Sequence, residues 1–154
     1  MRARAQVHVE VSTSPSALPL HDVTARKVHQ WAMVALVVIA FVVEGVPAAA
    51  LLALAGLVML AGRFWWPADL FRQLTWRLLE PAGILPRRDV HEDHETRRVA
   101  RVIGGVAWLA SAALLLLGLP VLPWAVAIAI AVMVTLDAAV DFCALCFVVN
   151  LAHR

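Results

Sequence analysis

The chain alternates long apolar runs with short polar punctuation, and four runs are long enough to cross a bilayer, which takes about 20 residues of helix. The first extends from about Val28 to Val43 behind Arg26-Lys27 and stops at Glu44-Gly45-Val46-Pro47. The second follows at once, from Ala48 to Gly62, and ends in Arg63-Phe64-Trp65-Trp66. The third covers about Val99 to Leu119, turns at Gly118-Leu119-Pro120-Val121-Leu122-Pro123, and hands over to a fourth from Trp124 to about Asn150. Glycine and proline reverse the chain in both turns, with Pro47 suited to the first position of a helix. The pattern predicts an all-α polytopic membrane protein with spans at about 28–44, 47–63, 99–118 and 123–149, paired as two hairpins.

Between the hairpins the period changes. Trp66, Leu70, Leu74 and Leu78 recur every four residues with Phe71 beside them, while Asp69, Arg72, Gln73 and Glu80 face elsewhere. This predicts an amphipathic helix over about 65–80 lying in the membrane interface. The alternative is a helix packed on a soluble partner or on the inner loop of the bundle. Pro81 and Pro86 end it, and a charged loop fills 81–98. Residues 1–20 read as a flexible tail, because the brief Val7/Val9/Val11 alternation cannot build a sheet alone. Residues 21–154 form the membrane domain. A late signal peptide cleaved at Ala48-Ala49-Ala50 is a rival reading of the first run, but cleavage there leaves an apolar remnant too short to span.

Composition agrees: 62% of the 154 residues are hydrophobic and 16% charged, against about 45–50% and 25% in soluble domains. The partner these runs demand is the lipid bilayer. All thirteen Lys and Arg lie in the N-terminal tail, the central segment or the last residue, and none lies in the two turns. Basic residues stay inside, so both termini and the central loop are expected on the cytoplasmic side. No basic–aromatic interleaving or zinc-finger spacing suggests nucleic-acid binding. Arg26-Lys27-Val28, an apolar run and Gly45-Val46-Pro47 echo Arg97-Arg98-Val99, a run and Gly118-Leu119-Pro120; this fits a parallel repeat or any pair of basic-flanked hairpins. Met33, Met59 and Met133 read as core filler.

Candidate chemistry concentrates in 135–146. This segment holds the only two cysteines, Cys143 and Cys146, and the only two carboxylates well inside an expected span, Asp137 and Asp141. On a continuous helix the two aspartates lie within about 40° of each other, with the cysteines on roughly the opposite face. Counting back from Asn150 puts Cys146 about 6 Å and Cys143 about 10 Å inside the boundary, within reach of a soluble partner. A C-x-x-C pair fits dithiol–disulfide exchange, and greater exposure favours Cys146 as the attacking thiol. Two buried small hydrophobes are the plain alternative. Haem attachment would need histidine after the second cysteine, where Phe147 stands. Zinc held by both cysteines with His91 and His94 fits the spacing, but a helix-embedded pair is an awkward ligand. No cofactor and no metal is therefore assigned. Asp137 and Asp141 are candidate proton groups, or structural carboxylates bonded to Thr135, Ser111 or an opposing backbone.

An apolar helix ending in Phe142-Cys143-Ala144-Leu145-Cys146, after a basic loop and a helical hairpin, resembles the bacterial membrane family catalogued as domain of unknown function 4395, over roughly His21 to Arg154. Leu145 stands where the family suggests a small residue, and Phe147-Val148-Val149 replaces a more polar continuation. The resemblance implies neighbours of thioredoxin-like and sulfurtransferase type, hence thiol or sulfane-sulfur traffic. The first functional expectation is a thiol-redox or sulfur-relay component using Cys143 and Cys146, with Asp141 and Asp137 as proton groups. The second is a non-catalytic membrane subunit that docks a soluble partner through the interfacial helix and central loop. A small transporter using the aspartates ranks last, because beyond Ser111 the other spans are read as almost free of polar residues. Oligomeric state is not legible.

Overall fold

In the computed structural model the described residues are 20–65, 67, 69–91 and 95–141. Among the described residues four helices are long and apolar enough to cross a membrane: α1 (Val23–Val43), α2 (Gly45–Phe64), α4 (Glu95–Leu116, whose spanning part is Arg97–Leu116) and α5 (Val121–Val140). Between α2 and α4 lies α3 (Leu70–Leu74), which continues as a π-helical turn at Thr75–Leu79. The all-α membrane architecture expected from the hydrophobic pattern is the architecture of the protein.

Each helical hairpin reverses through positive-φ backbone. Glu44 (φ 58°) and Gly45 (φ 64°) join α1 to α2, and Gly118 (φ 80°) lies between α4 and α5. Within the bundle α1 touches α2 and α5, while α4 touches α2 and α5. The two hairpins therefore lie side by side in a closed ring, with antiparallel neighbours. The core runs through all four helices, from Met33, Val37 and Ala40 through Leu52, Ala55 and Met59 to Trp108, Ala127 and Ala131. Trp108 is fully buried, and its indole N–H donates to the Ala127 carbonyl at 3.2 Å, tying α4 to α5. Met33 and Met59 are core residues, as expected. Outward residues such as Val38, Val42, Leu57, Val106 and Val132 are exposed, the normal inversion for helices solvated by lipid tails.

The α2–α4 contact depends on glycine. A Cβ at Gly56 would stand 2.8 Å from the Gly105 carbonyl oxygen and 2.8 Å from Leu109 Cγ; one at Gly105 would meet Leu60 at 2.9 Å and the Gly56 carbonyl at 3.1 Å. Small residues let helix backbones approach where hydrophobic driving force between helices is absent.

Two features depart from the sequence reading. A two-stranded antiparallel ribbon pairs β1 (Leu20–Asp22) with β2 (Asp89–His91), in register Leu20↔His91, His21↔Val90 and Asp22↔Asp89. Its three-residue strands carry too little periodicity to be seen in sequence, and the loop expected over 81–98 supplies one of them. The amphipathic segment, helical over 70–79 and not 65–80, keeps its leucines outward as expected but packs its polar face on protein instead of water. Leu70, Leu74 and Leu78 point away from the protein, whereas Asp69 and Thr75 are fully buried in it.

Gly56→Ala should destabilise the detergent-solubilised protein by about 1–3 kcal/mol, since the added methyl meets backbone that cannot yield. Gly104→Ala, one residue from the contact and with no neighbour nearer than 3.5 Å, should be neutral or better. Thermal unfolding followed by tryptophan fluorescence separates the two; equal losses would refute the close-packing account.

Candidate functional site: an ion-paired polar end

One end of the bundle gathers the start of α1, the end of α2, α3, the start of α4 and the end of α5. Charged groups buried there have little water to fall back on, so each must find a partner in the protein.

Asp22 begins the assembly. Its carboxylate caps α1, accepting the N–H groups of Thr24 at 2.9 Å and Ala25 at 3.2 Å. The other oxygen accepts the Trp76 indole N–H at 2.6 Å, which fastens the π turn to α1. Burial alone would raise this carboxyl, but the bonds from Trp76, Ala25 and Thr24 bring it below the ordinary carboxylate range. The Thr24 hydroxyl donates to the Pro86 carbonyl at 2.9 Å and the Val23 N–H to the Arg88 carbonyl at 2.8 Å, so the central loop is sewn to the same helix end. The wide turn has a local cause. Thr75 returns its hydroxyl to the Phe71 carbonyl at 2.8 Å, and the Glu80 N–H reaches the Thr75 carbonyl at 2.9 Å, closing a five-residue spacing.

Asp69 is the most enclosed charge. Its side chain has no exposed surface, and it receives Arg101 at 2.7 Å, with His29 Nδ1 at 2.9 Å and Arg72 Nε at 3.5 Å. Arg101 also approaches His29 Nε2 at 3.2 Å. A guanidinium can only donate, so Nε2 accepts and the imidazole proton sits on Nδ1, facing Asp69. Burial raises the Asp69 carboxyl, but the His29 hydrogen bond and the Arg101 charge outweigh it and hold the group far below the usual carboxylate range. Gly62 makes the room: a Cβ there would come within 2.5 Å of the Arg101 guanidinium and 3.1 Å of Asp69. Asp, His and Arg here form a closed clasp between α1, α3 and α4, with no face open to a substrate.

The second centre joins α5 to α1 and α4, and it is open. Helix α5 ends at Val140, and Asp141 takes a left-handed conformation (φ 55°, ψ 22°). Its carboxylate receives Arg26 at 2.8 Å and Lys27 at 2.9 Å, and Arg97 reaches its carbonyl at 3.4 Å. The Asp141 side chain is 49% exposed. One turn earlier, Asp137 accepts a hydrogen bond from the Gln30 amide and lies 3.3 Å from Arg97 Nη1.

Of the residues singled out from sequence, Asp137 and Asp141 are thus brought to one cluster, as the helical spacing required. Their partners differ from those expected. Thr135 donates to its own helix at Ala131, 2.8 Å away, and Asp137 and Asp141 instead bind the polar first turns of α1 and the start of α4. Asp141 also lies at the mouth of the bundle rather than deep within a continuous span. Cys143 and Cys146 lie outside the described residues, as do the side chains of His91 and His94 weighed for zinc. The sequence reading passed over His29 and Gln30, which sit inside the first expected span; their spacing from Arg26-Lys27, one turn on, was the available signal. Asp69 and Arg101 carried no such signal, because nothing in their local pattern pairs residues 32 apart.

The fold and this polar end define a four-helix polytopic membrane protein whose helix ends are locked by ion pairs. The chain matches the family model described as Domain of unknown function (DUF4395) over residues 22–154, and it belongs to that family. No curated protein and no solved structure matches it.

Asp69→Asn should cost about 3–5 kcal/mol, because it leaves Arg101 and Arg72 buried without their counter-charge. The pH dependence has a definite sign. A depressed carboxyl stabilises the fold above its unfolded value of about 3.9 and loses that contribution as pH falls through the lower folded value. Wild-type stability in detergent should therefore decline below about pH 4. The Asn variant should start lower and lose less over the same range. A wild type and variant of equal stability at neutral pH would refute the clasp.

Proposed function

We propose that this protein is a thiol-redox or sulfur-relay component of a bacterial inner membrane, working on its cytoplasmic face through Cys143 and Cys146 with a thioredoxin-like or sulfurtransferase-type soluble partner. The observation that carries the reading is the cationic collar on Asp141, made by Arg26, Lys27 and Arg97. Cys143 follows Asp141 by two residues, so its Cα lies within about 7 Å of the Cα of the residue that gathers the collar, by covalent connectivity alone. Nearby cations stabilise a thiolate, the form that attacks. Cys146, five residues on, is not so constrained. This favours Cys143 as the attacking group and Cys146 as the resolving one, the reverse of the order that exposure in a continuous helix suggests.

In the exchange, the Cys143 thiolate attacks one sulfur of the partner's disulfide, and the partner's other sulfur leaves as thiolate. Cys146, having lost its proton, then attacks Cys143 of the mixed disulfide and releases the second partner thiol. One dithiol is oxidised and one disulfide reduced; the Cys146 proton passes to one partner thiolate, and the other takes from water the equivalent of the proton that Cys143 released on forming its thiolate. Asp141, half exposed at the same chain end, is the proton-group candidate for Cys146; Asp137 is engaged by Gln30 and Arg97 and positions Arg97 in the collar. If the donor is a persulfide, the same thiolate takes its outer sulfur and expels the donor thiolate, with no net redox change. The cytoplasmic assignment is supported by the position of Arg26, Lys27, Arg63, Arg97, Arg98 and Arg101 at one end of the helices, away from the turns at 44–45 and 117–120.

Acid trapping of native membranes followed by maleimide mass-tagging before and after reduction reads the state of both cysteines. A disulfide or persulfide fraction that changes with oxidant or sulfur supply is expected, and Cys146→Ser should accumulate a mixed disulfide that Cys143→Ser does not. Two thiols that label fully and never change state would reject the relay and leave a non-catalytic membrane subunit, for which Cys143→Ser/Cys146→Ser keeps function.

A further inference from the structure

We propose that Glu80 and Asp22 form a proton-operated latch: one proton shared between the two carboxyl groups fastens the end of the amphipathic segment to the start of α1, and its loss releases that segment.

The geometry leaves Glu80 no other way to be satisfied. Its N–H closes the π turn on the Thr75 carbonyl at 2.9 Å, and its own carbonyl accepts the Gly83 N–H at 3.0 Å, so the side chain starts from a fixed backbone. One carboxyl oxygen, Oε1, is sealed from solvent and has no hydrogen-bond donor among the described residues. The carboxyl instead meets that of Asp22 in a side-chain hydrogen bond. Two carboxylates are acceptors only, so this bond requires a proton on one of them. Asp22 already receives the Thr24 and Ala25 N–H groups on Oδ1 and the Trp76 indole on Oδ2, contacts that favour its ionised form. The proton therefore resides on Glu80, which donates to Asp22.

The surrounding charges do not relieve the pair. Asp89, opposite Asp22 in the ribbon, adds a third carboxylate, and the nearby Arg87 is engaged by Asp89 at 3.0 Å. Arg72 on α3 also bears on Asp22 but is turned to Asp69. Burial, the Asp22 bond and the negative charges of Asp22 and Asp89 raise the Glu80 carboxyl above the ordinary glutamate range, against the opposing pull of Arg87. A raised carboxyl contributes fully below its unfolded value of about 4.3 and loses that contribution as pH rises through the folded value. The latch thus closes on acidification and opens as pH rises, opposite in sign to the Asp69 clasp. On opening, the ionised Glu80 turns to water and the backbone bonds of 80–84 loosen. The loop beyond stays sewn to α1 by the Thr24–Pro86 and Val23–Arg88 bonds. Nothing in this device depends on the cysteines.

The test follows the full chain in lipid nanodiscs by hydrogen exchange and infrared spectroscopy from about pH 4 to pH 9. Protection factors of Ala82, Gly83 and Ile84, whose amides bond within this turn, should fall above the Glu80 midpoint by up to about tenfold per pH unit, the limit for linkage to one proton. Glu80→Gln, neutral at every pH and still a donor to Asp22, should keep these amides protected throughout. It should also lack a protonated-carboxyl band that the wild type shows below the midpoint. Asp89→Asn, which removes a neighbouring negative charge, should move the midpoint to lower pH; it decides the matter if the glutamine variant fails to fold. A Glu80 that titrates like a free glutamate, an equal loss of protection in Glu80→Gln, or an unmoved midpoint in Asp89→Asn would each overturn the latch.

Discussion

A carboxylate removed from water must be matched at close range, and at the polar end of this bundle that requirement decides where five segments go. Asp69 has no exposed side-chain surface, so its charge is tolerable only with Arg101, His29 and Arg72 drawn around it. Drawing them there brings α1, α3 and α4 together, and Gly62 on α2 must remain without a side chain to admit them. Such a clasp is better understood as fixing one arrangement than as adding net stability, since desolvation offsets much of the attraction between buried charges. The lipid-facing helices need this kind of specification. Apolar faces packed against lipid tails discriminate poorly between one helix neighbour and another.

The same logic, applied at the surface rather than in the interior, produces the second centre. Arg26 and Lys27 precede the apolar part of α1, and Arg97 precedes that of α4; all three converge on the end of α5. Asp141 completes the neutralisation while its left-handed backbone stops the helix. Asp141 is thus held by charge on both neighbouring helices, α1 and α4.

Between the two centres lies a segment whose amphipathicity is real but whose orientation local pattern could not decide. A stripe of leucines at Leu70, Leu74 and Leu78 opposite Asp69 and Arg72 fits a helix with water on its polar side equally well as one with protein there. Asp69 settles the choice, because Arg101 reaches it only if that face turns inward, leaving the leucines to the bilayer. Trp76 on Asp22 and the loop carbonyls of Pro86 and Arg88 on α1 hold the segment in that orientation.

What the sequence determined alone is whatever depends on runs and local spacing. Four apolar stretches of spanning length, glycine- and proline-marked reversals and basic flanks are enough to specify two hairpins in a membrane, because bilayer thickness and backbone hydrogen bonding leave no other economical fold. Asp137 and Asp141 on one helix face followed from a four-residue spacing. Only the tertiary structure decided the partners: Arg26 and Lys27 for Asp141, Gln30 and Arg97 for Asp137, Arg101 and His29 for Asp69, and the glycine contact of Gly56 with Gly105. Each joins residues far apart in the chain, and charge pairing is chemically degenerate. Any of several arginines could answer any of several aspartates until packing of the apolar helices fixes which ends meet.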